Sequence, residues 1–235
     1  MKNVRLAMLA ISVSLSFFGC ATFKQVPRMK ERNSSGVGLS VKLRGPAHFP
    51  TYKARSVYFA KVDDINIKKD AVYESNFSKD GRVYLLNASP GEYVAVAASY
   101  SMLLSPDLYI TYFPKELVNL TRVRVDDGAF VYAGNYHVAM NVGICEEKAD
   151  EIQIYYAEKF APGQPKCGMV KMLTHELNTR SIVFIGSHAY SFDATKYHYR
   201  GALLKADHES SDKVEFMRKA QEDLSGGGWG EALGR

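Results

Sequence analysis

The chain predicts a mainly β fold: an antiparallel β-sandwich followed by a C-terminal α+β extension. Three observations predict it. Apolar and polar residues alternate from Val37 onward, which sends successive side chains to opposite faces of a strand. Turn chemistry recurs between short apolar segments, at Asp80-Gly81, Pro90-Gly91 and Asp127-Gly128, where glycine accepts backbone angles that other residues resist. Beyond the leader, roughly 200 residues remain, enough for a substantial core. Short strands at this spacing indicate a sandwich.

The elements follow in order. Val37, Leu39, Val41 and Leu43 alternate with Gly38, Ser40, Lys42 and Arg44, and Gly45-Pro46 ends this strand. Further strands are expected over 56–62 and 71–77. Lys79-Asp80-Gly81 supplies a tight hairpin turn into a strand over 82–86, because Asp-Gly tolerates positive φ. Ser89-Pro90-Gly91-Glu92 turns the chain again, into 93–98. Strands over 109–113, 121–125, 130–133 and 136–142 come next, the last two separated by Gly134-Asn135. After the charged break Glu146-Glu147-Lys148, alternation over 150–157 predicts one more strand. A short helix over 169–177 and strand segments over 182–185 and 189–192 follow. The last element is a helix over 212–224, with an apolar face of Val214, Phe216, Met217, Ala220 and Leu224. Asp212 and Glu215 resemble a capping box at its start. Gly226, Gly227 and Gly228 stop it, and the lone Trp229 is expected to dock back on the body.

Residues 1–19 have the order of a secretory signal: Lys2 and Arg5 without an acid, an apolar run over 6–18, then Gly19-Cys20. A run of about 13 residues is shorter than the roughly 20 that a membrane-crossing helix needs. Ser14-Leu15-Ser16-Phe17-Phe18-Gly19-Cys20 resembles the lipobox of bacterial lipoproteins, with Phe17 and Phe18 standing where Leu and a small residue are usual. The resemblance implies that Cys20 is acylated and becomes the first mature residue. Ala21, rather than Asp, implies onward export to the outer membrane. An ordinary signal peptide cut after Ala21 is the alternative. With several acyl chains, each buried methylene contributing about 0.8 kcal/mol, the anchor would be stable.

Residues 20–36 read as a charged tether, with Lys24, Arg28, Lys30 and Arg32 against Glu31, that is either solvated or in contact with the membrane surface. Each cation near anionic headgroups adds up to about 1 kcal/mol. The sandwich is expected over 37–145 and the extension, packed on it, over 146–235. Loss of Lys2 and Arg5 leaves 28 Lys plus Arg against 25 Asp plus Glu, a mature charge of +3 rather than +5. A balance so mild speaks against a nucleic-acid partner. Cys145 and Cys167 form either a disulfide, reasonable in an oxidising compartment, or two buried thiols.

Pro90-Gly91-Glu92-Tyr93, followed by small and branched residues, resembles the turn of transthyretin-like and carboxypeptidase-regulatory-like sandwich modules of exported proteins. Val131-Tyr132-Ala133-Gly134-Asn135-Tyr136 is similar to a later segment of such modules. The resemblance covers about residues 37–143 and implies an Ig/transthyretin-like sandwich, with no shared catalytic residues.

Catalytic motifs are sparse. Thr174-His175-Glu176-Leu177-Asn178-Thr179 begins like a zinc-binding HExxH, but Thr179 stands where the second His is needed. His188, Asp193 and His198 do not share a strand face at their spacing. Neither a Gly-x-Ser-x-Gly elbow nor a phosphate-binding loop is present. No cofactor, metal or enzymatic activity is expected. The preferred function is a lipid-anchored envelope module that binds a protein or glycan, or is structural. Its candidate surface is Tyr100, Tyr109, Tyr112, Phe113, Tyr190, Tyr197 and Tyr199. The alternative is a divergent hydrolase or metal-dependent enzyme using His175, Glu176, His188 and His198.

Overall fold

Val37, Leu39, Val41 and Leu43 are fully buried while Lys42 and Arg44 are exposed, so the first alternation becomes β1 (Ser35–Arg44) with one face in a core. The computed structural model describes residues 25–45, 51–63, 66–101, 108–141, 149–160, 162, 196–207 and 209–234. After β1 come β2 (Thr51–Lys53), β3 (Ser56–Asp63), β4 (Asn66–Glu74) and β5 (Phe77–Lys79). Asp80 and Gly81 both take positive φ, 54° and 83°, and turn β5 into β6 (Arg82–Ala88) as the Asp-Gly pair predicts. β7 (Gly91–Tyr100), β8 (Leu108–Tyr112), the short helix α1 (Lys115–Leu120) and β9 (Val123–Val125) lead to β10 (Phe130–Asn141). Then follow α2 (Glu151–Phe160), β11 (Lys196–Asp207), α3 (Ser210–Asp223), a 3-10 turn (Ser225–Gly227) and α4 (Gly230–Leu233).

The fold is mainly β, as expected, built on one hydrogen-bonded sheet in the order β4-β3-β7-β8-β11-β10-β1-β6-β5. β2 adds to β1 and β9 to β7. Although β1 and β7 lie four places apart in that order, Val37 and Leu39 share a core with Val94 and Val96, so the sheet folds over on itself. Burial of both faces of β7 explains why its sequence is a nearly unbroken run of small and apolar residues.

Two pairings depart from the antiparallel expectation: β1 with β10 and β8 with β11 run parallel. Parallel neighbours need long crossovers, so no hairpin signal announces them. The 146–235 region is also more than a layer on the sandwich, because β11 lies within the sheet between β8 and β10. The expected strands over 130–133 and 136–142 are one strand. Across Gly134, at φ 112°, β10 carries an extra residue relative to β1, a bulge that moves Tyr136, Val138 and Met140 onto the buried face.

The strand expected over 150–157 is instead α2. Asp150 Oδ1 accepts from the backbone N–H groups of Ile152 (3.1 Å) and Gln153 (2.9 Å), and Asp150 N–H donates to Gln153 Oε1 (3.3 Å). This reciprocal capping box starts a helix. Ile152, Gln153, Tyr156 and Ala157 then form a buried stripe at helical spacing. Gln153 Nε2 donates to Tyr112 O (2.9 Å) and Gly201 O (2.8 Å), tying α2 to β8 and β11. Tyr156 reaches Ile67 O on β4, and Phe160 stacks at a tilt on Tyr58 of β3. Gln153→Leu, which removes both bonds, is expected to cost about 2 kcal/mol in urea denaturation.

A second layer covers the outer face of β1, β6 and β10. Phe216 of α3 meets Tyr84 and Tyr132, and a Cβ on Gly38 would lie 2.7 Å from its ring, so glycine makes room for the helix. The expected Asp212–Glu215 capping box is absent. Glu209 takes the N-cap position without a side-chain cap bond, Asp212 lies in the first turn, and Glu215 pairs with Arg218. From one face to the other the described residues therefore stack as α3 and α4, then β5-β6-β1-β10, core, β7-β3-β4, and α2. The expected elements over 169–177, 182–185 and 189–192 lie outside the described residues. Among the described residues, no helix is long and apolar enough to cross a membrane.

Candidate functional site

The tyrosines expected to form a binding surface are interior. Tyr100, Tyr109, Tyr112, Phe113, Tyr197 and Tyr199 are all buried, and Tyr190 lies outside the described residues. Tyr52 stacks on Tyr100 at 4.2 Å, Tyr100 on Tyr109 at 4.8 Å, and Tyr109 on Tyr197 at 5.0 Å. Cross-strand register explains this ladder. Tyr100 faces Tyr109 across β7 and β8, and Tyr109 faces Tyr197 across β8 and β11, so like rings meet at the spacing that aromatic pairs favour. Burial, reinforced by Tyr199, Tyr52 and Tyr109, raises the Tyr100 phenol well above its ordinary range. Burial does the same for Tyr112, whose hydroxyl lies 2.7 Å from His198 Nδ1.

A polar cluster holds α3 to the sheet. Asp223 has a side chain only 2% exposed and accepts from Arg82 Nε (2.6 Å), Arg82 Nη2 (3.1 Å) and Tyr84 Oη (2.7 Å). Lys79 Nζ stands 3.3 Å away. Burial alone would raise the carboxyl, but hydrogen bonds from Arg82 and Tyr84, with the Arg82 charge and Lys79, hold it below the usual carboxylate range. Conversely, burial followed by the bond to Asp223 raises the Tyr84 phenol. Sequence reading missed this cluster. Its signal was an acid on an apolar stripe, since Phe216, Ala220 and Asp223 recur at helical spacing and all three are buried.

Beside it, the two ends of the described chain are latched together. Trp229 is fully buried, as the docking expectation requires, and its indole N–H donates to Pro27 O at 2.8 Å. Met29 N–H donates to Gly227 O at 3.0 Å. Asn87 Nδ2 donates to Arg28 O (3.0 Å), and Lys30 N–H donates back to Asn87 Oδ1 (2.9 Å). Val26 and Met29 pack on a small core of Phe77, Tyr84, Leu86, Leu224 and Leu233. Residues 26–30 are therefore a bound strap rather than part of the tether expected over 20–36, because they satisfy backbone groups and bury apolar surface.

Next to α3 lies an open groove of about 540 Å³. Lys42, Lys53, Arg82 and Lys219 line it together with Asp80, Asp212 and Glu215. Lys53 pairs with Asp80 (3.0 Å) and Lys219 with Glu215 (3.6 Å), so the charges largely compensate one another. Close by, His137 stands across from Lys42 and Lys205, and burial, then the Lys42 charge, lowers its pKa. The chemistry available is polar contact with a ligand of mixed charge.

Among the described residues, no three His, Cys, Asp or Glu groups converge as a metal site would require. Of the alternative catalytic set, His198 lies on β11 beside Tyr112, while His175, Glu176 and His188 lie outside the described residues. Cys20, Cys145 and Cys167 lie outside them too. No protein-family model, curated protein or solved structure matches the chain.

Proposed function

We propose that this chain is a lipid-anchored protein of the bacterial cell envelope, acylated on Cys20, whose sandwich serves as a binding or structural module rather than a catalyst. One juxtaposition carries the reading. A leader ending in Gly19-Cys20 is followed, six residues on, by the strap at Val26 that is bonded to the folded body. An acyl chain at Cys20 would thus hold a rigid body at the membrane surface. The ligand class is protein or glycan, and the compartment implied by Ala21 is the outer membrane.

The test is metabolic labelling with a clickable fatty acid. Wild type is expected to incorporate the label and Cys20→Ala to lose it. Undiminished label in the variant would overturn the anchor and the localisation built on it.

A further inference from the structure

The strap limits how the body can stand on its anchor. From Cys20 to Val26 the backbone spans at most about 20 Å, whatever conformation it takes, since a fully extended residue covers about 3.3–3.6 Å. From Val26 onward the chain belongs to the body. Pro27 is held by Trp229, Met29 by Gly227, and Arg28 and Lys30 by Asn87. Three exposed cations, Arg28, Lys30 and Arg32, project along this segment, with Glu31 the acid among them. Across the molecule, past two sheet layers that pack about 10 Å apart, α2 lies on the opposite flank, tied to Tyr58 of β3, Tyr112 of β8 and Ile67 at the start of β4.

We infer that the latch, made of residues 26–30, the Ser225–Gly227 turn and α4, is the membrane-facing surface, meeting anionic phospholipid headgroups through Arg28, Lys30 and Arg32, while α2 faces away. This orientation rests on the anchor at Cys20. A solvated tether of the length expected from sequence would leave the body free to tumble. A tether that stops at Val26, with cations immediately beyond it, brings one flank to the surface in preference to all others. Headgroup attraction and tether length then act on the same side of the molecule.

Paramagnetic relaxation on the full-length protein tests this directly. The chain is isolated with its lipid from bacterial membranes and placed in nanodiscs of phosphatidylcholine and phosphatidylglycerol, with or without a gadolinium chelate on a small fraction of headgroups. Amide signals of Arg28, Met29, Lys30, Gly227 and Trp229 are expected to lose more than half their intensity with gadolinium. Those of Ile152 and Tyr156 are expected to keep nearly all of theirs. Uniform attenuation, or stronger attenuation at Ile152 and Tyr156, overturns the orientation. Intact mass taken on the same sample separates the two levels. A Cys20 adduct with uniform attenuation sinks the orientation alone, whereas a mass without the adduct sinks the anchor and the orientation with it.

Discussion

Trp229→Ala is expected to destabilise the protein by about 4 kcal/mol, the range for emptying a fully buried large aromatic site, and to release the strap. Two losses combine. The ring leaves a cavity among Leu224, Leu233 and Val26, and Pro27 O loses the indole donor. Limited trypsin digestion reads the second effect apart from the first, because Arg28 and Lys30 are cleavage sites held by Asn87 and flanked by the bonds of Pro27 and Met29. Cleavage there should accelerate severalfold under conditions where far-UV circular dichroism still shows a folded sheet. Trp229→Phe, which keeps a ring but has no N–H, is expected to cost about 1–2 kcal/mol beyond its lost area. A strap that remains as resistant in Trp229→Ala as in wild type would refute the latch.

Asp223→Ala is the second large effect, about 3 kcal/mol near neutral pH. Removing one member of a buried ion pair strands the others: Arg82, with a side chain 14% exposed, and the Tyr84 hydroxyl lose their shared acceptor. The pH dependence has a definite sign. The folded carboxyl titrates below its ordinary value of 3.8, so the native state binds fewer protons than the unfolded state in that window. Its contribution is therefore complete above the unfolded pKa and is lost as pH falls through the folded one. Urea midpoints of wild type and Asp223→Ala should differ most near neutral pH and converge as the pH falls below 3.8 and through the folded pKa. A gap that stays constant into acid would show that the carboxylate charge is not what holds α3.

Much of the fold could be read in advance where the signal was local. Asp80-Gly81 specified its hairpin, the alternation from Val37 specified β1, and a lone tryptophan after three glycines favoured a docked terminus over a loose tail, which the burial of Trp229 bears out. Misreadings arose where two periods coincide. Ile152, Ile154 and Tyr156 alternate as in a strand, yet Ile152, Tyr156 and Ala157 also fit a helical stripe. Asp150 with Gln153 was the deciding signal for a helix, because it can satisfy backbone donors that a strand would pair elsewhere. In β11, Tyr197, Tyr199, Gly201 and Leu203 alternate clearly, but its neighbours are remote in sequence. The tyrosine ladder shows the limit for the site itself. Aromatic content announces large buried area and contact surface equally well, and only register reveals that Tyr100, Tyr109 and Tyr197 stack on one another inside.

The place of β11 governs the order in which the molecule can be completed. β8 and β10 are both made long before residues 196–207, and although β8 can pair with β7 and β10 with β1, the other edge of each is covered only when that segment arrives between them. Until then the growing chain carries two unpaired strand edges in what becomes the middle of the sheet, the kind of edge that recruits other chains. Truncation before Lys196 should consequently yield aggregates rather than a smaller folded body.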